Sequence, residues 1–386
     1  MTHSPCPARR PAIAVYGATG YTGERIARKL VHDGHDVVIA GRTRGALENL
    51  ARDLDGDVEI AIVDLDDRER LEAVCTRVRT VVNAAVAFAR PENPVARAAV
   101  ASGCHYVDIS SDQAAIARLF DELGDEAAAR GTALLPASAF YATLADLIVS
   151  LAARGHGTLE TVDISYRITG WQPSGVSLDN WLEGLGRPML QYDAGFVTRR
   201  APTTRSVRFP QGDERVATYP APEILTIPRH VDVQRLTTSM TTATMVPPPL
   251  GPAVPLLARL ASVTERSPMR RPVRRLATRM LRGSTARSGD DPTSFDILVE
   301  LGTAGTRRSA HVSGTGIFDC SAPIAAGIAA RTTQDDFAAA GPLAAAEVVD
   351  PTTFLDALSE HGITYAVTGP TSTTPTARDT GTGSSA

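Results

Sequence analysis

Seven residues carry the first chemical signal: Gly17-Ala18-Thr19-Gly20-Tyr21-Thr22-Gly23 follows the apolar run Ile13-Ala14-Val15-Tyr16 and precedes a helix-like stretch. Glycines at this spacing permit a tight turn, close approach of backbone to phosphate, and close packing of helix on strand. Free N–H groups and the positive end of the helix then face the anion. The pattern predicts a pyrophosphate cradle for a nicotinamide dinucleotide, bound by Gly17, Thr19, Gly20, Tyr21, Thr22 and Gly23. The next strand, Asp36-Val37-Val38-Ile39-Ala40, runs into Gly41-Arg42-Thr43-Arg44, where no carboxylate stands to take a ribose 2′-hydroxyl. An arginine at that point pairs instead with a 2′-phosphate, so Arg42, Thr43 and Arg44 predict NADPH over NADH.

Other chemistries are poorly supplied. Lys29 is the only lysine, and it falls about two turns into the helix after the glycine turn, away from the nicotinamide end. The tyrosine-lysine pair of short-chain dehydrogenases needs a lysine four residues after its tyrosine, but position 25 is Arg25. Schiff-base catalysis is equally improbable. No Cys or His cluster has metal-ligand spacing, so no metal is expected. Cys104-His105 reads as part of a strand, Cys104 to Ile109, in which neighbours point to opposite faces; a thiol–imidazole dyad is therefore not expected.

The elements that must position these groups follow from periodicity. Helix (Ala46 to Leu54), strand (Val58 to Val63), helix (Arg68 to Val74), strand (Thr80 to Asn83), helix (Pro94 to Ser102), strand (His105 to Ile109), helix (Asp112 to Arg130) and strand (Thr132 to Leu135) alternate with short links. Such alternation implies an α/β Rossmann-type, doubly wound parallel sheet with ligands at the strand C-termini. Position at strand ends makes Asp64, Asn83, Ala84, Ala85, Val86 and Tyr106 candidates for the cofactor crevice. From Leu159 the period becomes strict alternation: Val162, Ile164, Tyr166 and Ile168 are separated by Asp163, Ser165 and Arg167. This predicts a second, mixed or antiparallel α+β domain. A helix with Leu178, Trp181, Leu182 and Leu185 on one face follows, Trp181 being read as core. Further strands are expected at Glu223 to Ile227, Asp232 to Met245, Phe295 to Glu300 and Ser309 to Phe318.

With 386 residues, two domains are the default, and a net charge of −4 makes no case for nucleic acid. No run of about 18 apolar residues marks a membrane span. Met1 to Pro11 is not expected to be a signal peptide, and the scattered cysteines Cys6, Cys75, Cys104 and Cys320 fit a cytoplasmic location. From Ser267 to Arg282, apolar residues alternate with arginines that include Arg270, Arg274 and Arg275. This reads as a basic amphipathic helix that packs on the protein, or docks an acidic carrier protein or an anionic membrane. Residues 368–386 are rich in Thr, Ser and Gly and are expected to be disordered.

The glycine turn, with Ala40-Gly41-Arg42, Val82-Asn83 and His105-Tyr106-Val107-Asp108, resembles the saccharopine dehydrogenase-like oxidoreductases. Ala139-Phe140-Tyr141-Ala142-Thr143-Leu144-Ala145-Asp146-Leu147 is similar to that family's Gly-Phe-Asp-Ser-x-Pro-x-Asp-Leu loop. Phe140, Asp146 and Leu147 match it; Ala139, Tyr141, Ala142 and Leu144 depart from it. The arginine-rich stretch and the segment Asp319 to Ile363 resemble the branch containing trans-acting enoyl reductases. The resemblance implies an NADPH-dependent reductase whose dinucleotide domain is split. Residues 1–153 would form the Rossmann part and 154–319 a sheet-based substrate and dimerisation domain; 320–367 would be helices returning to the first domain. A homodimer is expected. It further implies hydride transfer to an activated C=C of an acyl or polyketide-like intermediate in secondary metabolism. The alternatives are reduction of an imine, with reductive amination, or an NADP-binding sensor without turnover. The proton or hydrogen bond for the atom that gains charge is expected from Tyr141, then Tyr106, then Tyr166.

Overall fold

The computed structural model describes residues 13–85, 92–170, 189–194, 196–200, 203–245, 292–303, 305–369 and 371–372. Six short apolar strands open the chain: β1 (Ile13–Tyr16), β2 (Val37–Gly41), β3 (Glu59–Ile62), β4 (Thr80–Asn83), β5 (His105–Asp108) and β6 (Ala133–Leu135). Between them run α1 (Tyr21–His32), α2 (Arg44–Asp53), α3 (Arg68–Arg77), α4 (Pro94–Ala101) and α5 (Gln113–Ala129). Their starts are set locally. Asp67 accepts from Arg70 N, Asn93 from Ala96 N, and Asp112 from Ala114 N and Ala115 N, which satisfies donors the first turn leaves free.

After α6 (Phe140–Ala153) come β7 (Leu159–Thr169), two hairpins, β8 (Met189–Asp193) with β9 (Phe196–Arg200) and β10 (Thr204–Phe209) with β11 (Gly212–Thr218), and the one-turn α7 (Glu223–Thr226). Then follow β12 (Val233–Thr241), α8 (Thr242–Met245), β13 (Ser294–Thr303), β14 (Thr306–Thr315), α9 (Ser321–Thr332), β15 (Gly341–Pro342), α10 (Pro351–Ala357), β16 (Thr364–Val367) and β17 (Thr371–Ser372).

The first sheet has the order β15-β6-β5-β4-β1-β2-β3 and is parallel throughout, with helices on both faces. Burial on both faces explains why its strands are continuous apolar runs rather than alternating ones. Ile13, Val15, Ile39 and Leu135 pack with Ile26 and Leu30 of α1 and Ala325 and Ile328 of α9. Ala14, Tyr16, Tyr106 and Leu134 pack on the other face with Leu71, Val95 and Leu119. The second sheet is mixed: β12 runs parallel to β7, and β13 and β14 run antiparallel. Val162, Ile164, Ile297 and Val299 lie under Leu144, Leu147 and Ile148 of α6. Each such aliphatic side chain contributes roughly 1.5–3 kcal/mol by leaving water.

The structure departs from the sequence expectations in several places. Glu223–Thr226 is a helical turn that continues into a 3-10 turn, Ile227–Arg229, rather than a strand. Pro222 and Pro228 remove backbone donors that a ladder would need, and Pro fits the start of a helix. The strand expected through Met245 ends at Thr241. The segment 320–367 does more than return helices: Gly341 and Pro342 add a strand to β6, and β16 then pairs with β14 in the second sheet. Thr371–Ser372, placed in the expected disordered tail, also pair with β14. The Trp181 helix and the arginine-rich stretch with Arg270, Arg274 and Arg275 lie outside the described residues.

Candidate functional site

The turn between β1 and α1 is built around two contacts that only glycine permits. Gly17 has φ +83, and a Cβ there would come within 2.8 Å of Ala85 N; a Cβ on Gly23 would overlap the Gly17 carbonyl oxygen. Gly17 N donates to Ala40 O at 2.8 Å and Ala84 N to Tyr16 O at 2.9 Å, so the turn, the end of β2 and the end of β4 form one cradle. Gly20 starts α1 without a side-chain cap, leaving the first N–H groups of the helix for an anion. Thr19 is exposed and Thr22 half-buried beside it. Tyr21 is braced from the returning segment. The Arg25 guanidinium lies 3.7 Å from its ring centroid, Phe318 meets it edge-on at 5.6 Å, and Arg25 donates to Asp319 at 2.9 Å.

At the end of β2, Arg42 is exposed, and Thr43 begins α2 without a side-chain hydrogen bond to it. Arg44 faces Glu48 at 3.6 Å. Asn83 is fully buried; its Oδ1 accepts from Ala85 N at 3.2 Å and its amide donates to the Tyr106 hydroxyl at 3.2 Å, which shapes the strand end. Asp64 is exposed and accepts from Asp66 N at 3.1 Å, holding a turn after β3. Val86 lies outside the described residues. The residues present fit a dinucleotide: a cradle a Cβ would fill at two points, two helix starts without side-chain caps, and an exposed arginine where a 2′-phosphate would lie.

Beyond the C-terminal ends of β5 and β6 a second group of side chains converges. Asp108 Oδ1 accepts from Ser110 N at 2.8 Å and Ala137 N at 3.0 Å, and Oδ2 from the Tyr106 hydroxyl at 2.8 Å. Burial lifts this carboxyl to about 6. The staple folds the loop after β6 back over β5 and starts α6 there, with Tyr141 in its first turn. From the second domain come Tyr166 on β7, Tyr219 just after β11 and Glu223 on α7. Ring centroids lie 5.3 Å apart for Tyr141 and Tyr166, 6.2 Å for Tyr141 and Tyr219, and 6.4 Å for Tyr166 and Tyr219. Gln113 at the start of α5 ties the two domains beside this box, donating to Ala221 O at 2.7 Å and accepting from Leu190 N at 3.0 Å.

Glu223 is fully buried. Its Oε1 accepts from the Tyr166 hydroxyl at 2.6 Å, while Oε2 has no partner among the described residues. Burial raises its carboxyl to about 7. The Tyr141 hydroxyl is also buried and makes no well-aligned hydrogen bond among the described residues, although Tyr219 and Ser111 stand close enough to act on it; burial first, then Tyr219 and Glu223, hold its pKa well above the usual phenol value. Buried polar atoms without a well-aligned hydrogen bond carry a desolvation penalty, and two of them lie in this one box.

The three tyrosines expected as donors therefore part company. Tyr106 is fully buried on the inner face of the first sheet and committed to Asp108, Asn83 and Asn93, so it sets strand ends rather than facing the box. Tyr166 is committed to Glu223. Of the three, only the Tyr141 hydroxyl makes no well-aligned hydrogen bond among the described residues, its neighbours being Tyr219 and Ser111. Asp146 and His230, one turn further along α6 and just after α7, pair at 2.7 Å, and Asp146 also accepts from Ala346 N at 2.7 Å. Burial lowers the His230 pKa, but Asp146 outweighs it and the net shift is upward. Asp146 thus pins the returning segment to α6. Cys104 is buried and burial pushes its thiol well up, and Lys29 pairs with Asp33 at 2.6 Å. Glu223 and Tyr219 escape a sequence reading that takes Glu223 to Ile227 as a strand; the flanking Pro220, Pro222 and Pro228 were the signal against it. Among the described residues no group of three potential ligands is placed to hold a metal ion, and no helix is long and apolar enough to cross a membrane.

Residues 13–135 match the model of the saccharopine dehydrogenase NADP binding domain. Over 204 residues the chain is 27% identical to a putative trans-acting enoyl reductase of Mycobacterium tuberculosis, covering 50% of this chain and 48% of that one. A saccharopine dehydrogenase-like oxidoreductase of Homo sapiens is 23% identical over 184 residues, 43% of each chain. A lipid droplet localized protein of Caenorhabditis elegans is 29% identical over 180 residues, 43% of this chain and 42% of that one. The chain thus spans less than half the length of these relatives. Apo saccharopine dehydrogenase (L-Glu forming) from Saccharomyces cerevisiae superposes with a TM-score of 0.59 at 12% identity, over 93% of this chain and 100% of that one, which shows the shared fold. The match to the saccharopine dehydrogenase NADP binding domain is thus confined to residues 13–135, while the chain as a whole shares the fold of saccharopine dehydrogenase.

Proposed function

We propose that this protein is an NADPH-dependent reductase of an activated C=C bond in an acyl or polyketide-like substrate. One observation carries the reading: the buried Tyr141 hydroxyl, with no well-aligned hydrogen bond among the described residues and only Tyr219 and Ser111 close to it, stands at the C-terminal crest of the dinucleotide sheet, in an aromatic box. NADPH supplies the hydride, and Gly17, Gly20 and Gly23 with the exposed Arg42 hold its phosphates. The residues of the chain then serve the other half of the reduction. Reduction of an enoyl thioester develops negative charge on the carbonyl oxygen, and the Tyr141 hydroxyl is the donor free to meet it. The rings of Tyr141, Tyr166 and Tyr219 exclude water around that charge, which strengthens the hydrogen bond. An acidic carrier protein delivering the acyl group would dock on Arg270, Arg274 and Arg275; loss of turnover on carrier-bound but not free thioester at high salt tests that contact.

A second reading has its own observation. The Glu223 carboxyl, once ionised, would neutralise an iminium cation in the same box, favouring imine reduction. Following NADPH absorbance with enoyl thioesters, imines and keto acids decides between them. Oxidation with enoyl thioesters supports the first reading; oxidation confined to imines, or tight binding without oxidation of any acceptor, sinks it.

A further inference from the structure

A relay of hydrogen bonds beneath the dinucleotide crevice runs from one carboxylate to the wall of the glycine turn. Tyr106 and Asn83 are fully buried, Asp108 is 1% exposed and Asn93 8%. The Tyr106 hydroxyl donates to Asp108 Oδ2 at 2.8 Å and accepts from the amides of Asn83 at 3.2 Å and Asn93 at 3.0 Å. Those two asparagines bound the connection from β4 to α4. With their nitrogens turned to the phenol, Asn83 Oδ1 accepts from Ala85 N and Asn93 Oδ1 from Ala96 N, both at 3.2 Å. We propose that Tyr106 and Asp108 are positioning residues for the nicotinamide half of NADPH: by fixing which way the Asn83 amide points, they set the Ala84–Ala85 backbone against the glycine turn.

The direction of each bond follows from the carboxylate. An ionised carboxylate only accepts and a phenol has one proton to give, so the Tyr106 proton points at Asp108 and its oxygen is left as an acceptor. Asn93 Oδ1, at 3.4 Å, is the poorer acceptor for that proton. Both amides then present nitrogen to the phenol and oxygen to the backbone. Asp108 cannot turn away, because Oδ1 holds Ser110 N at 2.8 Å and Ala137 N at 3.0 Å. Among the described residues three that are not glycine have positive φ, and two of them, Asn93 (φ 33) and Ala137 (φ 56), are held by this relay. Such backbone persists where its surroundings over-determine it. The wall that the relay sets is close to the turn. Ala85 N stands 2.8 Å from the place a Cβ on Gly17 would take, and Ala84 N donates to Tyr16 O at 2.9 Å. β2 and β4 flank β1 in the sheet, so a dinucleotide with its 2′-phosphate on Arg42, at the β2 side, extends its other half over the β4 side and this wall.

The test titrates NADPH, and 2′,5′-ADP, which carries the 2′-phosphate but no nicotinamide, into wild type, Tyr106→Phe, Asp108→Asn and the double variant. The buffer is held at pH 8, above the value of about 6 to which burial lifts the Asp108 carboxyl. Hydrogen exchange at the Ala85 amide is read beside it. Each single variant is expected to raise the NADPH Kd about tenfold, the size of one lost hydrogen bond to a charged group, and to leave the 2′,5′-ADP Kd within about twofold. Exchange at Ala85 quickens in both. The double variant is expected to bind NADPH no worse than the weaker single, because both changes break one relay. Unchanged NADPH affinity overturns the assignment, as do additive losses in the double variant. Equal weakening of both ligands overturns it too, since that is damage to the fold rather than to one wall. Should the variants not fold, wild type decides: without cofactor its Ala85 amide is expected to exchange about 10²-fold slower than a free peptide, and exchange at the free-peptide rate overturns the preset wall. The relay serves the cofactor and not the acceptor. A protein that behaves in this way and reduces no enoyl thioester therefore refutes the C=C reading alone.

Discussion

Glu223 and Tyr141 are both held at a cost to stability, and that cost is measurable. Glu223 is shifted from 4.5 to about 7, so the folded state binds the proton more tightly than the unfolded chain. Its contribution is fully present below pH 4.5 and is lost as pH rises to about 7, by about 3 kcal/mol in all. Glu223→Gln, which cannot ionise, is expected to raise Tm at pH 8 and to change it little at pH 4, in thermal melts at both values; equal shifts at the two would refute the burial argument. Tyr141→Phe is expected to lower kcat about 10²-fold without weakening NADPH, and unchanged turnover would remove Tyr141 from the chemistry. Arg42→Glu should weaken NADPH at least tenfold more than NADH in fluorescence titrations, because only the former has a 2′-phosphate. The place of Arg42, exposed just after β2, was legible in the sequence because strand, glycine turn and the residue after the second strand form a fixed frame; its pairing with a 2′-phosphate is what that titration tests. Glu223 was not, because its role depends on Tyr166, 57 residues away, and on burial that no local pattern reports.

At the scale of elements, the cradle depends on α1 lying against the turn that precedes it. Gly23→Ala puts a methyl group into the Gly17 carbonyl, so α1 must shift away from the phosphates. Loss of NADPH binding with a native circular dichroism spectrum is the expected outcome, and wild-type affinity would contradict the fit. The alternating helices and strands of the first 135 residues could be read within a few residues of their bounds, since each strand is a short apolar run between helices, three of which start on a side-chain cap. The second domain was harder. β7 announced itself by strict alternation, but the hairpins β8–β9 and β10–β11 are short and polar, and the prolines around Glu223 favour a turn that its apolar residues disguise as a strand. Asp146, matched to the family loop from sequence alone, proves to hold His230 and the backbone of Ala346 together. Asp146→Ala should cost about 3 kcal/mol in denaturant unfolding by leaving both donors unmet.

Across the whole molecule, the two sheets share one covalent thread that crosses between them repeatedly. Residues beyond 320 pack α9 on α1, add β15 to the first sheet and then β16 to the second, so neither half completes its fold from contiguous sequence. The box of Tyr141, Tyr166, Tyr219 and Glu223 sits where that thread and α6 bring the halves together. This placement separates a glycine-turn half, legible from motifs, from an aromatic box that comes together only in three dimensions. The most direct test of the account is consumption of NADPH by the purified protein with an enoyl thioester, comparing wild type with Tyr141→Phe. The account predicts oxidation by wild type, with reduced thioester formed in equal amount, and about a hundredfold less by the variant. NADPH bound but never oxidised, or equal turnover by the two proteins, would contradict it.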